Sequence, residues 1–238
     1  MRRRVLAACV TLVLTAGCDR LPGRPRRADR PVRPSQVIDF ATLYGANCAG
    51  CHGTEGRPGA AVALADPVYL ALIDDGTLRR VTAEGVPGTA MPGFVRTAGG
   101  SLTDQQVDVI VREMRSRWSR PGALGSSTPP PYAAPPGDAG KGARAYTTHC
   151  ASCHGPTGTG GPHGKSVVDG SYLALVSDQG LRTAVLVGRP GLGMPDWRGG
   201  RTGQAMTAEE IADVVAWLIR KRPEFPGQPY PTGARGNG

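Results

Sequence analysis

Two short runs can do chemistry that no other part of the chain can. They are Cys48-Ala49-Gly50-Cys51-His52 and, 102 positions on, Cys150-Ala151-Ser152-Cys153-His154. Two thiols separated by two residues, with a histidine directly after the second, is the spacing that attaches a c-type haem. The thiols add across the two vinyl groups of one porphyrin. The adjacent histidine then lies beneath the ring, where its imidazole can bind the iron. A single run of this kind also arises by chance or as half of a zinc site. Two runs in 238 residues, in parallel contexts and each followed by a glycine (Gly53, Gly155), point to two haems, because zinc needs four soft ligands around one ion. Cys48, Cys51, Cys150 and Cys153 are the expected attachment residues, and His52 and His154 the expected proximal ligands.

A six-coordinate iron needs a second ligand, and the chain has five Met. Met91 lies 39 residues after His52 and Met194 lies 40 after His154. Each follows a Gly/Pro-rich loop and precedes a proline (Pro92, Pro195), which biases it to extended backbone. That composition suits a strap carrying a thioether across the opposite haem face. Met91 and Met194 are therefore the expected distal ligands. Met1 is the initiator, Met114 reads as core filler and Met206 as peripheral. His149 and His163 read as non-ligating, with nothing in the sequence to partner either.

The elements that must position these groups come in duplicate. At offsets of 102 to 104, Tyr44 matches Tyr146, Tyr69-Leu70-Ala71-Leu72 matches Tyr172-Leu173-Ala174-Leu175, and Asp75 matches Asp178. Gly85, Pro87, Gly88, Met91 and Pro92 match Gly188, Pro190, Gly191, Met194 and Pro195. The register shifts fall in loops, where insertions are tolerated. Each copy reads as a first helix (36–48, 138–150) running into the haem motif, two middle helices (67–74 and 77–84; 170–177 and 180–187) and a last helix. The last helices open on capping boxes, Thr103 with Gln106 and Thr207 with Glu210. Val107, Ile110, Val111 and Met114 then recur at helical spacing, as do Ile211, Val214, Val215 and Leu218. The fold class is all-α, two tandem units of 36–118 and 138–222. Between them 119–137 is Pro/Gly/Ser-rich and reads as a semi-rigid spacer of polyproline character. Residues 223–238 read as an irregular tail.

Composition agrees with small cores and long loops. Aromatics are 5% of the chain, with 35 Gly and 22 Pro. A unit of this size buries limited surface by itself, and a covalently held haem would supply the missing apolar contacts. The formal charge of +9 sits at one end. Residues 1–35 hold nine Arg and two Asp, and the remainder is close to neutral, so no nucleic-acid face is implied.

Residues 1–18 read as an export signal, with Arg2-Arg3-Arg4 ahead of the apolar stretch Val5 to Gly17, too short to span a bilayer comfortably. Leu14-Thr15-Ala16-Gly17-Cys18 resembles a bacterial lipoprotein cleavage box, although Thr15 departs from the usual Leu. The alternative is an ordinary signal peptide cut near Ala16 or Gly17. By that resemblance Cys18 becomes a lipidated N-terminus. Residues 19–35, Arg- and Pro-rich, read as an extended tether whose charge can also hold it against anionic lipid. Four of the six cysteines lie in the haem motifs, and Cys9 and Cys18 in the leader. None remains for a disulfide, a nucleophile or a thiolate ligand.

These residues give the chain a resemblance to the class I cytochromes c in two-domain, two-haem form. The resemblance covers 36–118 and 138–222 and rests on the C-x-x-C-H motifs and Met-Pro straps. It implies the small all-α cytochrome fold, with first and last helices crossing near the haem. Tyr44 and Tyr146 match the family's aromatic on the first helix, and Trp217 its partner on the last. Glu113 aligns with Trp217, so the first unit's crossing must be packed differently. His plus Met saturates iron, and neutral sulfur favours Fe(II). The expected function is a periplasmic, lipid-anchored carrier of single electrons, or a subunit of a respiratory complex. It would work between a quinol-oxidising complex and a terminal oxidase or other acceptor. A soluble periplasmic form is the alternative location. The alternative function is a two-haem enzyme, such as a peroxidase or thiosulfate dehydrogenase, which needs one open or labile coordination position.

Overall fold

The computed structural model describes residues 30–57, 59, 61–199 and 203–224. The expected export signal, Cys9, the expected anchor residue Cys18, the expected tether up to Asp29 and the tail from 225 lie outside the described residues. The chain divides into two units, Met1–Val37 and Ile38–Gly238. The described end of the first has one 3-10 turn, Pro34–Gln36, where the Arg33 Nε donates to Gln36 Oε1 at 3.2 Å.

The second unit holds both sequence copies. In the first copy the helices are α1 Phe40–Asn47, α2 Ala49–His52, α3 Pro67–Leu72, α4 Asp75–Glu84 and α5 Asp104–Trp118. In the second they are α6 Ala139–His149, α7 Ala151–His154, α8 Gly170–Leu175, α9 Asp178–Val187 and α10 Ala208–Ile219. No strand is formed among the described residues, only two isolated bridges. The first helix starts at Phe40 rather than at 36 because Asp39 caps it, its carboxylate accepting from Thr42 N at 2.8 Å. Asp66, Asp74, Asp138, Asp169 and Ser177 do the same for α3, α4, α6, α8 and α9. Such short side chains satisfy backbone donors that the helix itself leaves unpaired. Both capping boxes form, Thr103 with Gln106 and Thr207 with Glu210. The periodic residues behind them are the core: Val107 and Ile211 are fully buried, and Ile110, Met114 and Val214 nearly so.

The two helix crossings are built from different residues. In the second copy Gly142 of α6 lets the backbone of α10 come close, since a Cβ there would run into the Asp213 carbonyl. Tyr146 stacks on Trp217 with ring centroids 4.3 Å apart. In the first copy Phe40 stands at the position of Gly142 and holds the helices apart. Trp118, at the end of α5, fills the gap edge-on to Phe40 at 5.5 Å and Tyr44 at 5.2 Å. The two tryptophans still reach equivalent places: Trp118 packs on Gly56 and Trp217 on Gly158, matched glycines of the loop after the haem motif. Gly142→Ala is therefore expected to cost about 1–3 kcal/mol through overpacking. Gly45→Ala in α1, where a Cβ meets nothing within 4 Å, should be neutral or gain up to about 1 kcal/mol from helix propensity. Chemical unfolding of the two variants checks the contrast.

An arginine staple shows the same equivalence without sequence register. Arg115 donates to the carbonyls of Leu70 and Ile73 and pairs with Asp75 at 2.6 Å. In the second copy the matched groups, Leu173 O, Val176 O and Asp178, each take a 2.9 Å bond from Arg222. Arg222 lies beyond α10, not at the residue aligned with Arg115.

The segment 119–137 is more than a spacer. Pro130 is buried and Tyr132 half-buried. Tyr132 meets Tyr69 of the first copy edge-on at 6.5 Å and bonds to α9 of the second. Helices α3 and α9 also pack directly. The segment read from composition as a semi-rigid spacer is gripped by both copies, through its aromatic area on one side and its backbone carbonyls on the other.

Candidate functional site

Each C-x-x-C-H run bends sharply at its first cysteine. Cys48 and Cys150 end α1 and α6 and cap the one-turn helices α2 and α7. The turns close on Gly53 and Gly155, both at φ 77°, a left-handed conformation that glycine adopts without Cβ strain. The tyrosines of the first helices secure them: Tyr44 Oη donates to Gly53 O at 3.0 Å and Tyr146 Oη to Gly155 O at 2.7 Å. Burial pushes both phenols up to about 12, so they remain donors across the physiological range.

Both histidine rings are held in the same way, each by a backbone carbonyl. His52 Nδ1 lies 2.8 Å from Val62 O, and His154 Nδ1 lies 2.7 Å from Lys165 O. A carbonyl can only accept, so Nδ1 carries the proton and Nε2 keeps its lone pair for a metal. Burial holds the His52 imidazole below its ordinary range and hence neutral. Gly164 leaves room for the His154 ring, which a Cβ there would touch at 2.6 Å. Burial, reinforced by the neighbouring thiols, pushes Cys48 and Cys150 up to about 11.

The Met straps are closed by backbone bonds. Val86 N donates to Met91 O at 3.0 Å, and Met91 N to Thr89 Oγ1 at 3.2 Å. Arg189 N donates to Met194 O at 2.9 Å, and Met194 N to Arg189 O at 3.2 Å. Each strap lies against the end of the preceding helix at Gly85 or Gly188, where a Cβ would strike the strap backbone.

In the first copy these groups meet. A cavity of about 1370 Å³ is walled by Cys48, Cys51, His52 and Met91, with Leu64, Leu78, Ile110 and Met114 around them. Arg57, Arg80, Arg120 and Arg189 also line it. Two thiols, a metal-ready imidazole and a thioether lining one largely apolar cavity, with cations for carboxylates, fit a haem. The cavity is larger than a usual small-molecule pocket, because it continues past the first copy. Leu175, Thr183, Ala184 and Val187 of the second copy and Tyr132 of the connection line its far side. Cys150, Cys153, His154 and Met194 do not line it. They lie on the matched turn and strap of the second copy, with Met194 half-buried. Among the described residues no group of three or more His, Cys, Asp or Glu is placed to hold a metal by itself.

Four residues differ from expectation or were missed. His149 has a partner: its buried ring lies 3.3 Å from Glu210 Oε1, a contact between residues 61 apart that no local pattern shows. Met206 is buried rather than peripheral, its N–H donating to Trp197 O at 2.8 Å. Asp196, just after the Met194-Pro195 strap, is paired with Arg198, which also lies over Trp197 at 5.1 Å. Trp118 carried no alignment signal, only its place in the last turn of a helix. The carbonyls that orient the histidines carry none at all.

The family model described as "Cytochrome C oxidase, cbb3-type, subunit III" matches residues 36–112 and 137–218. The chain is 28% identical over 174 residues to the cbb3-type cytochrome c oxidase subunit FixP of Bradyrhizobium sp. (strain ORS 278). That match covers 66% of this chain and 53% of the relative, so the chain spans about half the length of the curated relative it matches. A solved chain of the Kuenenia stuttgartiensis reducing HAO-like protein complex Kustc0457/Kustc0458 is 17% identical, with a TM-score of 0.41 over 82% of this chain and all of that one.

Proposed function

The chain belongs to the family of cytochrome c oxidase, cbb3-type, subunit III, and from that premise we propose that it holds one haem c in each copy and passes single electrons between respiratory redox proteins. It is a two-domain class I cytochrome c, a helical protein with covalently bound haem c and a role in electron transfer. We assign attachment to Cys48 and Cys51 in one domain and Cys150 and Cys153 in the other, within boundaries of 36–118 and 138–222. His52 with Met91, and His154 with Met194, are the assigned axial pairs. When bound, haem c supplies an iron that alternates between Fe(II) and Fe(III). The chain's own residues do the rest. Val62 and Lys165 aim the two Nε2 atoms. The straps would supply the Met91 and Met194 thioethers as the remaining ligands, which would leave no coordination position for a substrate. The apolar wall keeps water out and limits rearrangement on electron exchange.

The observation that carries this reading is the repetition of one His-to-carbonyl geometry, 2.8 Å and 2.7 Å, behind two copies of the attachment motif. Among the described residues no helix is long and apolar enough to cross a membrane. We place the protein on the periplasmic face of the bacterial cytoplasmic membrane, anchored by lipid on Cys18. Its electrons would come from a quinol-oxidising complex. The name of the FixP relative, a cytochrome c oxidase subunit, supports an oxidase as the acceptor and this chain as a subunit of it.

A spectroscopic redox titration of the intact protein tests the carrier reading. Two one-electron steps, both low-spin, with no carbon monoxide uptake by the reduced form and no peroxide consumption, are expected. Carbon monoxide binding at one haem together with peroxide turnover would overturn it in favour of an enzyme. For the anchor, the wild type should sediment with membranes and Cys18→Ser should not mature to the lipidated form. An unmodified N-terminus on a soluble wild-type protein would refute it.

A further inference from the structure

The connection between the domains makes contacts that a spacer does not need. Tyr132 belongs to neither copy, yet it lines the large cavity between the first domain's thiols and the second domain's α9. Its ring meets that of Tyr69, a residue 4% exposed, at 6.5 Å and 67°. On its other side Thr183 Oγ1 lies 3.3 Å from its hydroxyl, and Gln179 Nε2 donates to its carbonyl at 2.9 Å.

The strongest hold is on the backbone. Arg182 Nε donates to Tyr132 O at 3.0 Å, and Arg182 Nη2 to Pro131 O at 2.7 Å. Arg182 is 4% exposed and has no carboxylate partner among the described residues, and its Nη1 is buried without a hydrogen-bond partner. A buried cation is retained only where acceptors compensate its lost hydration. Here the acceptors are two carbonyls of the connection. Burial also holds this guanidinium below its ordinary range, which agrees with the absence of a nearby anion. The duplicate position shows that the repeat itself does not need this packing. Arg79, matched with Arg182, keeps a side chain 41% exposed and pairs with Asp104 and Asp108 at 2.9 Å and 2.7 Å. Only the second copy turned this arginine inward, onto the connection.

We propose that Pro131 and Tyr132 form a strut, clamped by Arg182, Gln179 and Thr183 and braced on Tyr69, that holds the two haem sites in one fixed relation and so sets the rate at which an electron passes between them. Tyr132 is a positioning residue. In the step it serves, one haem is oxidised from Fe(II) to Fe(III) and the other reduced from Fe(III) to Fe(II), with no proton or third reactant required. Electronic coupling across a gap is lost when the donor and acceptor sites sample open arrangements, so a strut that keeps one arrangement populated keeps the exchange fast. The proposal rests on the reading of one haem in each domain.

The test is the concentration-independent relaxation that follows rapid one-electron reduction of the full-length holoprotein by a photogenerated donor. Haem content and midpoint potentials are measured alongside. Tyr132→Ala should slow this phase about tenfold, the population change equivalent to about 1.4 kcal/mol of lost docking free energy, with two haems retained and the rate compared after correction for the driving force that the measured potentials give. Tyr132→Phe keeps the ring on Tyr69 and should stay within about threefold of wild type. If Tyr132→Ala fails to accumulate, the Gln179→Leu, Thr183→Val pair removes the side-chain clamp instead and should slow the same phase. An unchanged rate in either of these clamp variants, with two haems present, overturns the strut alone. A wild type with one haem overturns the two-haem reading beneath it, and a wild type with two haems but no such internal phase overturns the proposed role of the strut in exchange.

Discussion

A chain carrying Cys48→Ser and Cys51→Ser together is expected to retain one covalently bound haem in place of two. The thioether bonds need a thiol for each vinyl group, and a serine hydroxyl does not replace them. The consequence should be mostly confined to the first domain. Its cavity is walled by both thiols and by Leu64, Leu78, Ile110 and Met114, so loss of the group leaves a large apolar void. Voids cost about 24 cal/mol for each Å³ that does not collapse. The first domain should therefore lose several kcal/mol or unfold locally, while α6 to α10 keep their fold around the stacked Tyr146 and Trp217. The matched change, Cys150→Ser with Cys153→Ser, should do the reverse. Alkaline pyridine spectra of denatured protein count the bound haem, and thermal unfolding in each background reads the partition. Two covalent haems persisting after either double change would refute the assignment of these four cysteines.

The second large effect concerns the straps. Met91→Ala and Met194→Ala should each open one coordination position and lower the potential of that haem by a few tenths of the ~0.8 V range that axial ligands span. The direction follows from the ligand: neutral sulfur stabilises Fe(II), and water or hydroxide in its place favours Fe(III). The strap itself should survive. Val86 N to Met91 O and the paired bonds between Arg189 and Met194 are backbone contacts that the side chain does not make. Near-infrared absorbance of the oxidised protein reports sulfur–iron bonding, and each single change should remove about half of it. A double variant that keeps the band would show that other residues supply the sulfur. Met114 and Met206, both buried, are the thioethers then left to examine.

Much of this protein was legible from residue types and spacing because its chemistry is local. A thiol, two residues, a thiol and a histidine form one helical turn whatever surrounds them, and the turn appears twice as α2 and α7. Helix starts were legible for the same reason. A capping side chain acts within three residues, so Thr103 with Gln106 and Thr207 with Glu210 could be paired by inspection. The error of four residues at the start of α1 came from overlooking Asp39, a cap of the same kind. Offsets of 102 to 104 placed Met91 and Met194 on equivalent straps, since loops absorb insertions without moving the helices they join.

What depended on distance along the chain could not be read this way. Alignment paired Glu113 with Trp217, yet Trp118 does the packing. An exchange of Gly142 for Phe40 on the facing helix changed the spacing, and a larger gap takes an aromatic from the next turn. Arg115 and Arg222 reach equivalent carbonyls from positions that do not align, because a long side chain is selected by where its charged end arrives. The Val62 and Lys165 carbonyls that orient the histidines are backbone atoms and leave no trace in residue identity. Nor does composition distinguish a Pro-rich spacer from a Pro-rich strut: that was decided by a buried Arg182 with no carboxylate to pair with and two carbonyls within reach. Residue types and spacing were enough to single out the residues assigned to haem, as that is chemistry within one turn or one strap. The tertiary structure decided how each domain is closed around its site and how the two are held together, as those are competitions for space and hydrogen-bond partners between groups tens of residues apart.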